Sequence, residues 1–315
     1  MKFLVVGGVA GGASTATRLR RLDESGDIVM FEKGPHVSFS NCCLPYRLSE
    51  TVGETDALVM MSPAQFKNQY NIEARVEHEV LSIDRAAKTV RVKNLSTGEE
   101  YTEAYDKLIL SPGANAFVPQ LPGMENANIF VVKNVVDIAK LYEFVHSGNV
   151  KKVTVVGGGF IGVETAENLV EAGYEVSLVE AMPQILRIFD YDMVQILHKE
   201  MMEKGVNLIL NDQVVACEGS NLKLASGKVV EGDAVVMAIG VRADSKLAKD
   251  AGLELNERGA IKVDANYCTS DRNIYAVGDA IEVYNAITHR PMSLTRAGPA
   301  QKQARAAADH IYGRT

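Results

Sequence analysis

The chain has 315 residues, of which 47% are hydrophobic, and it carries a formal net charge of -7. That length can bury the cores of two domains, whereas a mildly acidic chain lacks the positive surface that nucleic acid or an anionic membrane would require. No apolar run is long enough to cross a bilayer, and the four cysteines are too few for a disulfide framework, which favours the reducing cytoplasm.

The chain opens with a predicted strand at Lys2–Val6, a helix at Ala10–Asp23 and a second strand at Asp27–Glu32. A glycine turn joins the first strand to the helix, as in dinucleotide-binding units, where it brings a pyrophosphate to the helix N-terminus. Val9 replaces the middle glycine of the usual motif, but Glu32 has the position of the acid that binds the ribose. We therefore predict an adenine dinucleotide site formed by Gly7, Val9, Ala10, Gly12, Glu32 and Lys33.

Two adjacent cysteines follow this unit, in the segment Ser38–Tyr46. Pro45 suits the first turn of a short helix, and a cysteine just before such a turn has its thiolate favoured by the helix dipole, which is a redox or nucleophilic environment. The alternatives are a pair of small buried residues and a vicinal disulfide between Cys42 and Cys43. Cys217 and Cys268 have no partner motif, and we interpret them as inert.

The strand–turn–helix–strand unit recurs at Lys152–Val156, Phe160–Ala172 and Glu175–Glu180, which makes it an internal repeat. Its turn, residues 157–162, fits G-x-G-x-x-G, and Glu180 ends the next strand. Glu180 can bind both hydroxyls of a ribose and would repel a 2′-phosphate, so we predict NADH rather than NADPH. A glycine turn without a ligand is the alternative. The candidate residues of this site are Gly157, Gly159, Phe160, Ile161, Gly162, Glu164, Glu180 and Gly240.

Further strands are predicted at Lys204–Leu210 and Asp233–Ile239, with a hairpin at Asn221–Val230 between them. Near the C-terminal end, the strand Asn273–Asp279 ends in Gly278 and Asp279, and a helix follows at Pro299–Tyr312. Gly278 allows close approach, the Asp279 carboxylate can bind a ribityl hydroxyl, and the helix N-terminus can stabilise an anionic reduced flavin. From these features we predict that the dinucleotide bound at the first glycine turn is FAD. An ordinary turn at the strand end is the alternative for Asp279.

Two breaks in the pattern mark the predicted crossings between domains, one at residues 111–123 and one near Gly240–Ser245. We predict an FAD-binding domain from residues 1–115 plus 246–315 and an NAD-binding domain from residues 116–245. The fold class is α/β, with two Rossmann-like three-layer domains, the second inserted in the first. We predict no metal site.

Both glycine turns, the Ser111–Ala114 segment and the Gly278–Asp279 segment together resemble the pyridine nucleotide–disulfide oxidoreductase family over the whole chain. The segment from Ser38 to Tyr46 is similar to the branch of coenzyme A disulfide reductases and coenzyme A persulfide reductases. The resemblance implies that Cys42 is the redox-active cysteine, whereas Cys43 departs from the small residue usual there. It also implies FAD contacts by Ser111, Pro112, Gly113, Pro299 and Ala300, and a coenzyme A site formed by Ser14, Arg18, Arg21, Ser38 and Asn41.

Spacing alone would make Arg18 and Arg21 a solvated basic face of the helix. Family members carry a C-terminal dimerisation domain, which the 315 residues do not include, so the resemblance implies a homodimer for a full-length form. Whether the chain is a fragment or a natural short form stays open.

The resemblance implies an enzyme that passes hydride from NADH through FAD to Cys42, which reduces a coenzyme A disulfide or persulfide. Glu164 would help to position nicotinamide or flavin; the alternative is a carboxylate that only complements the helix dipole. The competing hypotheses are an NADH oxidase or peroxidase with a cysteine sulfenic acid, an electron-transfer reductase for a protein partner, and a redox-sensing flavoprotein without turnover. Related oxidases and peroxidases often have a histidine where this chain has Ala10.

Overall fold

The computed structural model describes residues 1–314, which form two compact units. Unit 1 contains Met1–Phe39, Val59–Asn115 and the chain from Arg242 onward, and unit 2 contains Ser40–Leu58 and Ala116–Val241. The main segment of unit 2 is therefore inserted in the sequence of unit 1, and the predicted α/β class with two Rossmann-like domains is confirmed. The limits of these units differ from the predicted domain limits at residues 40–58 and 242–245.

Unit 1 is built on a five-stranded parallel sheet with strand order β19-β7-β1-β2-β3. Its strands are β1 Lys2–Val6, β2 Asp27–Glu32, β3 Glu73–Val76, β7 Lys107–Leu110 and β19 Ile274–Ala276. Its helices are α1 Ala10–Leu22, α2 Pro63–Tyr70, α6 Lys246–Asp250 and α7 Ala297–Ile311. The central strand β1 pairs with β2 and β7, so the loops that follow these strands open at one edge of the sheet.

Two smaller sheets complete unit 1. One is an antiparallel meander of β4 His78–Asp84, β5 Thr89–Asn94 and β6 Glu100–Ala104. The other contains β18 Ile261–Lys262, β20 Ile281–Asn285 and β21 Arg290–Met292. The short strands β8 Ala114–Ala116 and β17 Val241–Ala243 lie where the sequence passes from one unit to the other.

Unit 2 repeats this plan with a parallel sheet of order β12-β11-β10-β16-β9. Its strands are β9 Ile129–Phe130, β10 Lys152–Val156, β11 Glu175–Val179, β12 Asn207–Ile209 and β16 Ala234–Met237, and an antiparallel sheet adds β13 Val214–Glu218, β14 Asn221–Leu224 and β15 Val229–Val230. Its helices are α3 Val135–Val145, α4 Phe160–Glu171 and α5 Tyr191–Glu203. Short 3-10 turns lie at Asn41–Cys43, Pro45–Arg47, Thr55–Leu58 and Met124–Asn126.

The central strands are apolar on both faces because both sides of each parallel sheet are covered. In unit 1, helices α1, α2 and α7 pack on one face and the β4–β6 meander packs on the other. In unit 2, the sheet β13–β15 packs on one face. Phe3, Leu4 and Val5 of β1 are fully buried. Helix α7 packs closely on α1 through alanines, including the fully buried Ala304 and Ala307.

The strand predicted at Lys204–Leu210 begins later, at Asn207, because the preceding helix α5 extends to Glu203 and Gly205 turns the chain at φ 96°. In residues 1–314, no helix has the length and apolarity to cross a membrane.

Candidate functional site

In the first glycine turn, the backbone at Gly7 and Gly12 lies so close to neighbouring carbonyl groups that only glycine fits at these two positions. A Cβ at Gly7, where φ is 95°, would lie 2.0 Å from the Ser111 carbonyl oxygen, and a Cβ at Gly12 would lie 1.8 Å from the Gly7 carbonyl oxygen. Helix α1 starts at Ala10, and its N-cap, Val9, provides no side-chain acceptor for the first N–H groups. These donors and the helix dipole suit the pyrophosphate of a dinucleotide.

Glu32 ties this turn to the end of β2. Its Oε2 accepts a hydrogen bond from Gly8 N–H at 2.9 Å, and its Oε1 accepts one from Gly34 N–H at 2.9 Å. Lys33, which is 55% exposed, pairs with Asp244 at 3.1 Å. The acid and the lysine line a groove together with Gly7 and Pro112, so the adenosine end predicted at Glu32 has an open pocket beside it.

The remaining predicted flavin residues of unit 1 converge on Ser111, which follows β7. A Cβ on Gly11 would lie 2.4 Å from the Ser111 hydroxyl and one on Gly278 would lie 3.5 Å from it. Gly278 has φ 84°, which a side chain would strain, and half-buried Asp279 follows it. The structure thus brings the predicted residues Gly7, Gly12, Ser111 and Gly278 to one edge of the sheet, together with Gly11, which was not predicted.

Sequence reasoning missed Gln303, which supports this edge from helix α7. Its Oε1 accepts the Gly278 N–H at 2.8 Å, and its side chain is only 4% exposed. The available signal was a lone amide within an alanine-rich buried stripe of the helix. The helix itself begins at Ala297, two residues before the predicted start, so Pro299 and Ala300 lie in its first turn.

The second glycine turn repeats the geometry of the first. A Cβ on Gly157 would lie 2.5 Å from the Ala238 carbonyl oxygen, and one on Gly162 would lie 1.9 Å from the Gly157 carbonyl oxygen. Gly159 differs, because no atom lies within 4 Å of the position of its Cβ. The closed glycines therefore shape the turn, while Gly159 leaves open space at the start of α4, as close approach of a pyrophosphate requires.

Glu180 has the same two contacts as Glu32. Its Oε2 accepts the Gly158 N–H at 2.6 Å and its Oε1 accepts the Met182 N–H at 2.9 Å. A cavity beside this carboxylate is lined by the glycine turn and by the ends of β11 and β16, including Ile239. Gly240, with φ 116°, follows Ile239 at the edge of this cavity. Of the predicted dinucleotide residues of unit 2, Gly157, Gly159 and Glu180 therefore line one cavity, and Phe160, Ile161, Gly162 and Glu164 follow in α4.

The loop after Glu180 also contacts this turn, which the sequence did not indicate. Ile185 packs on Gly158, and Leu186, with the left-handed φ of 44°, donates its N–H to the Gly158 carbonyl at 2.7 Å. The Phe189 ring lies edge-on to Phe160, with centroids 6.3 Å apart.

The predicted cysteine segment forms two consecutive 3-10 turns, Asn41–Cys43 and Pro45–Arg47, which we call the cysteine turns. Cys42 is exposed and Cys43 is half-buried, and all four cysteines of the described chain are free thiols. Before these turns, Ser38 donates its N–H to the Gly8 carbonyl at 2.8 Å. Burial raises the pKa of the Cys217 and Cys268 thiols, which agrees with inert cysteines.

Glu164 lies one turn into α4, and burial, followed by the charge of Glu167, raises the pKa of its carboxyl. Burial also raises the pKa of Tyr46, with smaller contributions from the charges of Glu164, Glu167 and Cys43. The turn Pro45–Arg47 and helix α4 are therefore neighbours within unit 2.

The predicted coenzyme A residues on α1 differ in their exposure and in the contacts that they make. Arg18 pairs with Asp309 of α7, with Nη2 2.6 Å and Nε 2.8 Å from Oδ1. Arg21 is exposed, and its Nε donates to the Thr17 carbonyl at 3.3 Å. Ser14 is half-buried on the same helix. Among residues 1–314, no group of three or more His, Cys, Asp or Glu residues could hold a metal ion.

Comparison with known proteins agrees with this geometry. The family model described as pyridine nucleotide-disulphide oxidoreductase matches residues 1–304. The coenzyme A disulfide reductase of Staphylococcus aureus (strain JH9) is 35% identical over 312 residues, which are 99% of this chain and 70% of that protein.

Two solved structures are also similar. Reduced Bacillus anthracis CoADR-RHD has a TM-score of 0.98 and 45% identity over 100% of this chain and 57% of its own. An NAD-dependent persulfide reductase from A. fulgidus has a TM-score of 0.96 and 33% identity over 100% of this chain and 60% of its own. The chain therefore spans less than two thirds of the length of these two structures.

Proposed function

The chain belongs to the pyridine nucleotide-disulphide oxidoreductase family, and on that premise we propose that it reduces a coenzyme A disulfide or persulfide with electrons from NADH. The resemblance predicted from the sequence is thereby confirmed at the level of the family. Membership implies FAD and NAD(P)H as cofactors. The choice of NADH, the sulfur substrate and the residue roles are parts of the proposal.

The exposed thiol of Cys42 is the observation that carries this proposal. It lies in a 3-10 turn with Pro45 beginning the next turn, in a chain 35% identical to coenzyme A disulfide reductases. Of the four cysteines, two have a thiol pKa raised by burial, and Cys43 is half-buried. An exposed thiol is the one that a bulky disulfide can reach.

FAD, when bound, supplies a two-electron carrier between a nicotinamide and a sulfur. The protein supplies binding and orientation: Glu32 would bind the adenosine ribose of FAD, and Gly278 would let its backbone approach the flavin closely. In unit 2, Glu180 would bind the ribose of the nicotinamide dinucleotide, and its negative charge opposes a 2′-phosphate. Glu164 would position the nicotinamide.

The sulfur chemistry of Cys42 is thiol–disulfide exchange. The Cys42 thiolate attacks one sulfur of coenzyme A disulfide, forms a mixed disulfide and releases one coenzyme A thiolate. Two electrons from NADH and one proton then cleave the mixed disulfide, which restores the thiolate and releases the second coenzyme A as a thiol. With a persulfide, the same exchange releases coenzyme A or sulfide.

We propose that Ser14, Arg18, Arg21, Ser38 and Asn41 bind the coenzyme A moiety. The two arginines would meet its phosphates, and Arg18 does so from an existing pair with Asp309. Because Asp309 already balances the charge of Arg18, we expect exposed Arg21 to provide the larger share of the phosphate affinity.

A panel of acceptors tests the proposed function. The purified, FAD-loaded protein is mixed with NADH and, in separate reactions, with coenzyme A disulfide, coenzyme A persulfide, oxygen and hydrogen peroxide. We expect NADH oxidation to depend on one of the coenzyme A substrates, with free thiol formed in proportion. Faster turnover with oxygen or peroxide would instead favour the oxidase or peroxidase, and negligible turnover with all four acceptors would contradict the proposed function.

A further inference from the structure

The cysteine turns are attached to unit 2 by a buried arginine. Arg47 is 6% exposed, and its guanidinium carbon lies 3.4 Å from the centroid of the Tyr142 ring. Its Nε donates to the Thr55 hydroxyl at 3.4 Å, while one terminal nitrogen is buried without a hydrogen-bond partner in the described chain. A desolvated cation over an aromatic ring is the strong form of this interaction. The ring of Tyr142 is therefore the main support of the buried charge.

Tyr142 is itself held on both sides. Its hydroxyl donates to the Glu50 carboxylate at 2.5 Å, and its other face stacks on His146 with centroids 3.9 Å apart. Glu50 lies just after the cysteine turns, and Tyr142 lies on α3. The contacts thus tie both ends of one short segment, at Arg47 and Glu50, to the same aromatic ring.

A second attachment joins this segment to the dinucleotide helix α4. Asn168 is 1% exposed; its Oδ1 accepts the Ser49 hydroxyl at 2.6 Å, and its Nδ2 donates to the Glu164 carbonyl at 2.7 Å. Asn41 adds a third contact, from its Nδ2 to the Lys133 carbonyl at 3.1 Å. Residues 40–58 consequently group with unit 2, which binds the nicotinamide dinucleotide, although the strands before and after them belong to unit 1.

We propose that Arg47, Tyr142 and Asn168 are positioning residues that fix the cysteine turns on the dinucleotide-binding unit, so that the thiol of Cys42 rather than that of Cys43 reacts. The fixed turns keep Cys42 exposed and Cys43 half-buried. A positioned thiol gains reactivity because the reacting atoms need little further rearrangement. The proposal rests on the proposed function only for its kinetic consequence.

Tyr142→Leu and Tyr142→Phe form the test, since leucine removes the ring beneath buried Arg47, whereas phenylalanine keeps the ring and loses only the hydroxyl that donates to exposed Glu50. The first measurement needs no turnover: the FAD-loaded protein is treated with iodoacetamide, and peptide mass spectrometry gives the relative alkylation of Cys42 and Cys43. In the unaltered protein and in Tyr142→Phe, we expect Cys42 to react about tenfold faster than Cys43. In Tyr142→Leu, we expect the ratio to fall toward one.

The second measurement separates the two half-reactions by rapid mixing. In Tyr142→Leu, we expect flavin reduction by NADH to stay within about twofold of the unaltered protein, and reoxidation by coenzyme A disulfide to slow about tenfold. Tyr142→Phe should restore reoxidation. General loss of structure would slow both steps alike, whereas a displaced cysteine slows only the second.

An unchanged alkylation ratio in Tyr142→Leu, or the same loss in Tyr142→Phe, would overturn the proposal. If Tyr142→Leu does not fold, Ser49→Ala decides, because it removes the hydroxyl that donates to Asn168 Oδ1 and leaves Arg47 and Tyr142 unaltered. We expect the same changes with smaller amplitude, and no change in either measurement would again overturn it. If the unaltered protein reduces no coenzyme A substrate, the proposed function fails, while the alkylation ratio still tests the positioning.

Discussion

Cys42 and Cys43 are adjacent in the sequence but differ in exposure, and this difference predicts different roles. In Cys42→Ser, bound flavin and its reduction by NADH should persist, because the dinucleotide contacts are unchanged, whereas disulfide turnover should fall at least about a hundredfold for lack of a nucleophile. Absorbance of the flavin near 450 nm and free-thiol release provide the two readouts. Cys43→Ala is the matched control and should retain most of the activity.

Equal losses in the two variants would instead indicate a mechanism that uses both thiols. Unchanged turnover in Cys42→Ser would remove Cys42 from the mechanism.

The negative charge of Glu180 is expected to set the preference for NADH over NADPH. In Glu180→Gln, one amide oxygen can still accept a backbone N–H, but the negative charge that opposes a 2′-phosphate is gone. We expect the ratio of kcat/KM for NADH over NADPH to narrow about tenfold, which corresponds to about 1.4 kcal/mol. Glu175→Gln, at the exposed start of the same strand, should leave this ratio unchanged. A ratio that moves equally in both variants would contradict a local role of Glu180.

Individual site residues could be predicted from the sequence where a local repeat fixes their position. Glu32 and Glu180 could be found because each ends the strand after a glycine turn, and each indeed accepts the N–H of a turn glycine. Arg47, Tyr142 and Asn168 could not be found in this way. Their contacts join residues 92 to 119 positions apart or depend on burial, which no short motif encodes.

Among the elements, the turn before α4 separates glycines that shape the fold from one that leaves room for a ligand. Gly162→Ala would place a Cβ 1.9 Å from the Gly157 carbonyl, so we expect destabilisation of about 1 to 3 kcal/mol in chemical denaturation. Gly159 has φ -77° and open space around its Cβ position, so Gly159→Ala should fold normally. Its methyl group should nevertheless raise KM for NADH, because it occupies the approach of the pyrophosphate. An unchanged KM in Gly159→Ala would contradict a dinucleotide at this turn.

The loop after Glu180 predicts a dependence on pH through His198 of α5. Burial lowers the pKa of His198, whose Nε2 accepts the Ile185 N–H at 3.3 Å. As the pH falls, His198 of the unfolded chain therefore binds its proton before His198 of the folded protein does. The stabilisation that depends on neutral His198 is complete above the ordinary histidine pKa of about 6.5 and is lost as the pH falls below it. We expect the urea midpoint of unfolding to fall between about pH 7 and 5.5, and to fall less in His198→Gln. The same slope in both proteins would exclude His198 as the cause.

Elements with a strong local signature were predicted to within a residue or two, including β1, β2, β10 and α4. The helix α3 was missed even though Val135, Ile138, Leu141 and Val145 give it a buried face at helical spacing. The strand β12 was placed too early because the prediction included Lys204, Gly205 and Val206, which form the turn between the end of α5 and Asn207. Boundaries of this kind depend on tertiary packing that overrides local preference.

For the whole molecule, the internal repeat predicted two nucleotide sites, and the structure gives each unit its own glycine turn, acid and pocket. The assignment of residues 40–58 to unit 2 was not predictable, because it depends on the side-chain contacts of Arg47 and Ser49 rather than on the order of elements. The sequence thus predicts the number of nucleotide sites, whereas side-chain contacts decide which unit holds Cys42 and Cys43.

Two sites in two units predict two separate patterns of protection from hydrogen exchange, since a ligand lowers local opening where it binds. FAD added to the apoprotein should protect residues 7–12, 111–113 and 278–279 of unit 1, where the flavin contacts are proposed. NAD⁺ added to the FAD-loaded protein should protect residues 157–162 and the loop at 180–189, because this loop packs on Gly158 and donates to its carbonyl. Gly159→Ala is the control, and it should lose the second pattern while keeping the first. If NAD⁺ protected only the turn of unit 1, or if both ligands protected the same segments, the assignment of one dinucleotide to each unit would be wrong.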